Sequence, residues 1–318
     1  MTETPSGDRS TLAMADAPDG LLSEPSAPGH DAASSRGRGL LSLVSRGTVR
    51  QGIGVVGIVI VLGWILVALF APVLAPTDPN IQQAGAQLLP LGSHGHLLGT
   101  DELGRDVFSR VLFGARVSIG IGLAAVAVGS VVGMISGMLA GYFGGIVDTL
   151  VMRTADITLA YPGILLGVVI VAVLGQGTGQ VAVAIAIINI PIFARLARSS
   201  VLRERELDYV AAASLAGCSW MRILFRHILP NSLGPLIVQA SISVAHAVLI
   251  EASLSFLGLG AQPPTASWGS MLNESRSYLS QSWSFAVFPG LALASLLLGL
   301  NFLADALRNA MDPTSGKR

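Results

Sequence analysis

The residues in this chain that could do chemistry are few, and most lie within apolar sequence. Gln239, His246 and Glu251 share one long apolar run, Asn189 sits in a second and Asn301 in a third. Polar groups in a membrane-spanning helix are costly, so they pair with one another or face a water-filled cavity. Asn189, Gln239, His246 and Asn301 are therefore candidates for lining a hydrophilic path, with interhelical hydrogen bonding as the alternative. His94-Gly95-His96 offers two imidazoles and no third ligand nearby, which favours a structural role over a metal site. No His-Glu-x-x-His and no Gly-x-Ser-x-Gly occurs. A Walker A loop needs Lys followed by Ser or Thr, and the one lysine, Lys317, is followed by Arg318. No catalytic residue, metal or bound cofactor is expected of this chain.

The densest charge lies in residues 195–231, where Arg195, Arg198, Arg203, Arg205, Arg222 and Arg226 face three acids. Within it, Tyr209-Val-Ala-Ala-Ala-Ser-Leu-Ala-Gly217 leads on to Arg226-His-Ile-Leu-Pro-Asn231. Leu202 to Ala216 is rich in good helix formers, which predicts a helix. Gly217 supplies a break, Ser219 can cap a second short helix, and Pro230 should end it. Two helices at an angle would present Arg203, Arg205, Arg222 and Arg226. Turns between spans are usually short, so a basic helical loop suggests a docking surface outside the membrane.

The elements that must position these residues follow from composition. Of 318 residues, 52% are hydrophobic and 12% charged, with no net charge, which is wrong for a soluble enzyme and right for a polytopic membrane protein. The single cysteine, Cys218, permits no intrachain disulfide. Ile53 to Ala75 carries no charge and spans about 34 Å as a helix. Further spans are expected near Val117–Ala140, Ile157–Leu174 through Pro162, Gly179–Ala194, Ser232–Leu257 and Phe285–Ala304, six in all. Arg36, Arg38, Arg46 and Arg50 precede the first span, which together with the basic 195–231 loop puts both termini and that loop in the cytoplasm. Residues 1–45 are poor in large apolar side chains and should not fold. The expected organisation is a 1–45 tail, a 46–115 segment with the first span and an outer loop, a 116–310 core and a 311–318 tail.

In the outer loop, Thr100 can cap a helix whose first turn holds Asp101 and Glu102. Leu103, Val107 and Val111 would fall on one face, predicting an amphipathic helix over 97–116 at the outer membrane surface. Gly129, Gly133, Gly137, Gly141 and Gly145 recur every four residues, with Ala125 extending the row. That spacing opens a groove along one helix face, for packing within the chain or against a second membrane subunit.

Taken together, these stretches resemble the permeases of binding-protein-dependent ABC importers, specifically the C-type subunit of the dipeptide/oligopeptide branch. Tyr209–Asn231 looks like that family's EAA loop, with its Gly and Ile-Leu-Pro. His96-Leu-Leu-Gly-Thr-Asp-Glu-Leu-Gly-Arg-Asp106, Met152-Arg-Thr-Ala-Asp156, Glu251-Ala-Ser-Leu-Ser-Phe-Leu-Gly-Leu-Gly260, Ser267-Trp-Gly269 and Leu303-Ala-Asp-Ala-Leu-Arg308 match in family order. One departure stands out: the family's Glu corresponds to Ala211, followed by Ala212 and Ala213. The resemblance implies a type I importer transmembrane domain with six helices, in a bacterial inner membrane. It implies a coupling loop, 197–231, in which Tyr209, Ala211, Ala212, Ala213, Gly217, Ser219, Arg222, Arg226, His227 and Pro230 meet a cytoplasmic ATPase. ATP and Mg would reside on two such ATPase subunits or domains. A second, homologous permease would complete a heterodimer, an extracytoplasmic binding protein would deliver a peptide, and nucleic acid plays no part. Nickel, glutathione or another small solute is the alternative cargo. A stand-alone secondary transporter, which would place ionisable groups at mid-membrane, is the competing class.

Overall fold

Long apolar runs fold here as long helices, because a chain in lipid must satisfy its backbone polar groups internally. The computed structural model describes residues 32–93 and 95–311, with side chains from residue 52 onward. The helices are α1 (Ala32–Leu74), α2 (Val107–Phe143), α3 (Gly145–Leu159), α4 (Gly163–Leu174), α5 (Thr178–Glu204), α6 (Asp208–Leu215), α7 (Trp220–Arg222), α8 (Leu229–Phe256), α9 (Trp268–Ser275) and α10 (Trp283–Ala310). A π-helical turn, Ile223–Ile228, joins α7 to α8, and a 3-10 turn, Arg276–Tyr278, follows α9. No β-strand occurs among the described residues, only isolated bridges at Ser93–His96 and Thr100–Asp106. Two units are distinguished, Met1–Gly47 and Thr48–Arg318, and the second holds every packing contact described below.

Among the described residues, five helical stretches are long and apolar enough to cross a membrane, and a sixth if the bent pair α3–α4 counts as one span. That pair corrects the expected third span. The helix does not pass through Pro162; it stops at Leu159 and restarts at Gly163 with a bend of 97°. Proline lacks an N–H and pushes Tyr161 before it away from helical angles, so one span becomes two shorter pieces. Residues 32–45, where composition predicts no fold, form the first turns of α1. Extending an existing helix is far easier than nucleating one. Residues 1–31, His94 and the 312–318 tail, on which other expectations fell, lie outside the described residues.

The outer-surface helix over 97–116 is also corrected. Thr100 caps no helix: its hydroxyl donates to the Ala86 carbonyl and accepts from Leu89 N–H. Asp101 accepts from the N–H groups of Leu103 and Arg105, and Gly99 and Gly104 have φ of 81° and 75°. These contacts hold 99–106 as a tight loop. The N-cap is Asp106, which accepts from Ser109 N–H at 2.8 Å, and α2 then runs unbroken to Phe143.

The central pairing is α2 against α5. A Cβ on Gly129 would lie 2.7 Å from the Ala186 carbonyl oxygen, and one on Gly141 would lie 2.9 Å from Val201 Cβ. Gly133 and Gly137 approach the backbone of Ile190 and Ala194 more closely still. The glycine row thus packs within the chain, and it ends at Gly141 because α2 ends at Phe143; Gly145 begins α3 in open space. A second core gathers around Trp268, which is fully buried, donates to the Val111 carbonyl at 3.0 Å and meets Trp64 edge-on at 5.0 Å.

Candidate functional site

The basic segment forms an elbow rather than the single helix expected over 202–216. Residues up to Glu204 belong to α5, the chain turns through 205–207, and α6 begins at Asp208. Expected loop residues 197–204, like Arg195, are therefore helical and part of the bundle. The end of α6 is a Schellman turn: Cys218 N–H donates to the Ala213 carbonyl at 3.1 Å and Gly217 N–H to Ser214 at 3.0 Å. Gly217 sits at φ 76°, the left-handed region this turn requires. Ser219 occupies the N-cap position of α7 but makes no side-chain cap bond. Pro230 does not end the helix. It sits in the first turn of α8, and Leu229 N–H bonds back to Leu224 in the wider π pattern, so the chain passes the proline without a break.

The elbow is braced from within. Tyr209 donates its hydroxyl to Glu204 at 2.7 Å and accepts from Asn231 at 3.0 Å, tying α5, α6 and α8 together. Burial, and then the Glu204 contact, hold the Tyr209 phenol above the ordinary tyrosine range. Arg205 donates to the Gly141 carbonyl at 3.1 Å, capping the end of α2, and Arg203 lies 3.4 Å from Glu204. These two arginines thus serve the elbow's own structure. Arg222 and Arg226 are exposed and have no acidic partner among the described residues. Beside them Leu215 is 90%, Met221 56% and Phe225 47% exposed. Ala211 and Ala212 are exposed, Ala213 and His227 half-buried. Apolar side chains at this exposure, flanked by unpaired arginines, make an adhesive surface.

The four polar in-span candidates are not brought together, and among the described residues no hydrogen bond joins any two. Asn189 is buried in the α2–α5 interface beside Gly129 and bonds back to Ile185 at 2.9 Å. Gln239 bonds Ser243 within α8 at 3.3 Å. Asn301 is exposed on α10. His246 is exposed and lines a pocket of about 310 Å³ at the α3–α4 bend, with Thr158 and Tyr161. Glu251 is fully buried and accepts from Ser255 at 2.8 Å.

Sequence reading missed a charged seam between α3 and α5. Arg195 pairs with Asp156 at 2.6 Å, and Arg198 grips Asp148 with two bonds of 2.5 and 2.6 Å. The signal was present as acids at 148 and 156, two turns apart on one helix face, opposite arginines three residues apart. Where the 76–106 loop meets α2 and α9, Arg105 contacts Asp101, Glu102 and Glu274, and Arg110 contacts Glu274 at 3.1 Å; both arginines are buried. His96 pairs with Asp106 at 3.0 Å. Burial, then Asp101, raise the Glu102 carboxyl above its usual range. The two guanidinium groups already occupy the Asp101–Glu102–Glu274 cluster, so it reads as a clamp between the 76–106 loop and α9.

An all-helical bundle of apolar spans bearing a helical elbow defines a polytopic membrane protein. Residues 129–316 match the family described as the binding-protein-dependent transport system inner membrane component, and the chain belongs to that family as an inner-membrane permease. Residues 41–90 match the N-terminal TM domain of oligopeptide transport permease C. A dipeptide transport system permease of Alkalihalophilus pseudofirmus is 44% identical, covering 83% of this chain and 86% of the relative. One from Escherichia coli K12 is 46% identical over 81% and 88%. A glutathione transport system permease from Pectobacterium atrosepticum is 44% identical over 83% and 88%. The MetNI methionine ABC transporter, solved in inward-facing conformations, shares the type I importer fold at TM-score 0.50 and 19% identity, covering 64% of this chain and 96% of that one.

Proposed function

We propose that this chain is one of two unlike permease subunits of an ATP-driven importer of di- and oligopeptides. The observation that carries the coupling role is the elbow: a rigid, glycine-terminated helix pair exposing Leu215, Met221 and Phe225 beside Arg222 and Arg226. Such a knob fits a groove on a cytoplasmic ATPase, with the elbow and both termini inside the cell, as arginine placement favours. ATP and Mg belong to the ATPase pair, whose closure would swing the elbow and shift the bundle between inward- and outward-open states. An extracytoplasmic binding protein would deliver solute to the face held by the Arg105–Glu274 clamp. The family Glu is absent at Ala211, and exposed Glu206 and Asp208 are the nearest carboxylates available in its place. Names of relatives favour peptide cargo, and the glutathione permease supports that tripeptide as a second reading.

The test is purification of the tagged chain in mild detergent, followed by reconstitution. Co-purification of a second permease and an ATPase is expected, with dipeptide uptake that depends on ATP. A chain that purifies alone and transports under a proton gradient would overturn the reading in favour of a secondary transporter. Uptake of glutathione but no dipeptide would replace the cargo and leave the coupling intact.

A further inference from the structure

The surfaces of the spans differ in kind. On α1 the exposed side chains include Val55, Val59, Leu62, Leu66 and Leu69, as a lipid-facing helix requires. On α3 and α5 exposed apolar side chains such as Leu150, Ile157 and Val183 are joined by two Arg–Asp pairs. The side chains of Arg195 and Asp156 are 48% and 54% exposed. Arg195 lies nine residues inside the end of α5, about 14 Å along the axis, and Asp156 lies about 16 Å from the start of α3. Charged groups on a membrane-crossing helix are held away from lipid. They are also depleted from the buried cores of protein–protein interfaces. A half-exposed ion pair between two such helices therefore points to water.

The surroundings agree. Beside the pairs is a hollow of about 470 Å³ lined by Asp148, Thr149, Met152, Asp156, Arg195 and Arg198, of which only Met152 is apolar. The His246 pocket continues the same seam. On α5, Ile188, Ile192 and Arg195 share a face, and on α3, Met152, Asp156 and Leu159 do so. Tyr161 and His246, which have no hydrogen-bond partner among the described residues, stand at its far end.

We propose that the α3–α5 seam is this subunit's wall of the solute path, and that Arg195 and Asp156 are its binding groups for the two charged ends of a zwitterionic short peptide. The inference rests on the permease reading and adds the residues and the ligand chemistry. The guanidinium donates bidentately to the peptide carboxylate and the aspartate accepts from the ammonium, each exchanging one partner for another of like charge. Because the pair is neutral overall, it offers both signs without trapping either. Above it, the pocket lined by Leu159, Ile188 and Ile192 takes apolar side chains, with Tyr161 and His246 at its polar rim.

The test uses the assembled transporter in liposomes, in a Cys218→Ser background. Met152→Cys is exposed to a cationic, water-soluble methanethiosulfonate, and Val59→Cys on α1 is the lipid-facing control. Such reagents attack the thiolate, which forms in water and not in lipid. Met152→Cys is expected to react at least about tenfold faster than the control, and saturating dialanine should slow it about threefold or more. Both cysteines are small and uncharged, and co-purification of the partners verifies assembly. A thiol that stays unreactive would mean the seam is covered by lipid or by the second permease, and would overturn the proposal. A reactive thiol that a transported peptide fails to protect would overturn it too, leaving a wet face that is not the path. Lack of dipeptide uptake by the unmodified complex would instead sink the peptide reading, and Met152→Cys reactivity would still report the water-filled seam.

Discussion

Replacing Gly217 isolates the contribution of a single dihedral angle. The residue closes the Schellman turn at φ 76°, and a Cβ built on it would meet nothing within 4 Å. Substitution therefore costs backbone energy alone, with no clash to relax. For Ala, the left-handed conformation is worse by about 1–2 kcal/mol. If the elbow must hold this turn to dock, the affinity for the ATPase falls by about five- to thirtyfold. Pro cannot reach positive φ, and it also removes the N–H that bonds Ser214, so about 3 kcal/mol or more is lost, over a hundredfold in affinity. Asn tolerates the conformation and should lose little. The assay is retention of the ATPase on the immobilised permease pair across an ATPase titration, with retention of the second permease as the folding control. The expected order is Gly, Asn, Ala, Pro, with the second permease held throughout. Equal retention of the ATPase by Gly217→Pro and the native chain would refute the docking role of the turn. Loss of the second permease in parallel would show that the elbow supports the fold instead.

Three further outcomes are expected. Gly137→Leu should abolish the α2–α5 contact and cost more than about 3 kcal/mol, lowering the thermal midpoint in detergent, whereas Gly120→Leu, which faces open space, should be near neutral. Tyr209→Phe leaves Glu204 and Asn231 without their shared hydroxyl, costing about 1–2 kcal/mol and speeding amide exchange in α6. Its folded phenol titrates above the unfolded one, so the contact is fully present below the ordinary tyrosine value, near 10, and is lost only as pH rises through the raised one. Arg105→Leu strips the central cation from Asp101, Glu102 and Glu274, costing about 3–5 kcal/mol and exposing the 76–106 loop to proteolysis.

The spans were legible because lipid demands long runs of apolar residues, and uncharged runs such as Ile53–Ala75 stand out in this chain. Failures came where short-range chemistry served a different partner. Thr100 and Asp101 look like a helix start, yet their oxygens are taken by Leu89, Leu103 and Arg105 in a loop that only the folded chain assembles. Pro162 was visible, but whether a proline kinks a helix or breaks it depends on what packs around it, and here the bend reaches 97°. The glycine row announced a helix contact without naming α5 as the neighbour. The seam was the hardest to see, because Asp156 and Arg195 are 39 residues apart and Arg195 reads as loop until α5 is found to run on to Glu204. The elbow's outline was readable from Gly217, whereas its bracing through Tyr209 joins residues from three helices.

The π-helical turn has a mechanical consequence. By taking one residue more per turn ahead of Pro230, it lets α7 and α8 run on as one 37-residue rod, Trp220 to Phe256. At 1.5 Å per residue that rod measures about 55 Å, so a tilt of about 5° at one end sweeps the other through about 5 Å. A proline that broke the helix would have made a universal joint there and absorbed the stroke. On the coupling proposal, the widened turn would make a crankshaft, carrying work done on Trp220 towards Glu251 and Trp268, with Pro235 the one interior proline left in α8 to bend it.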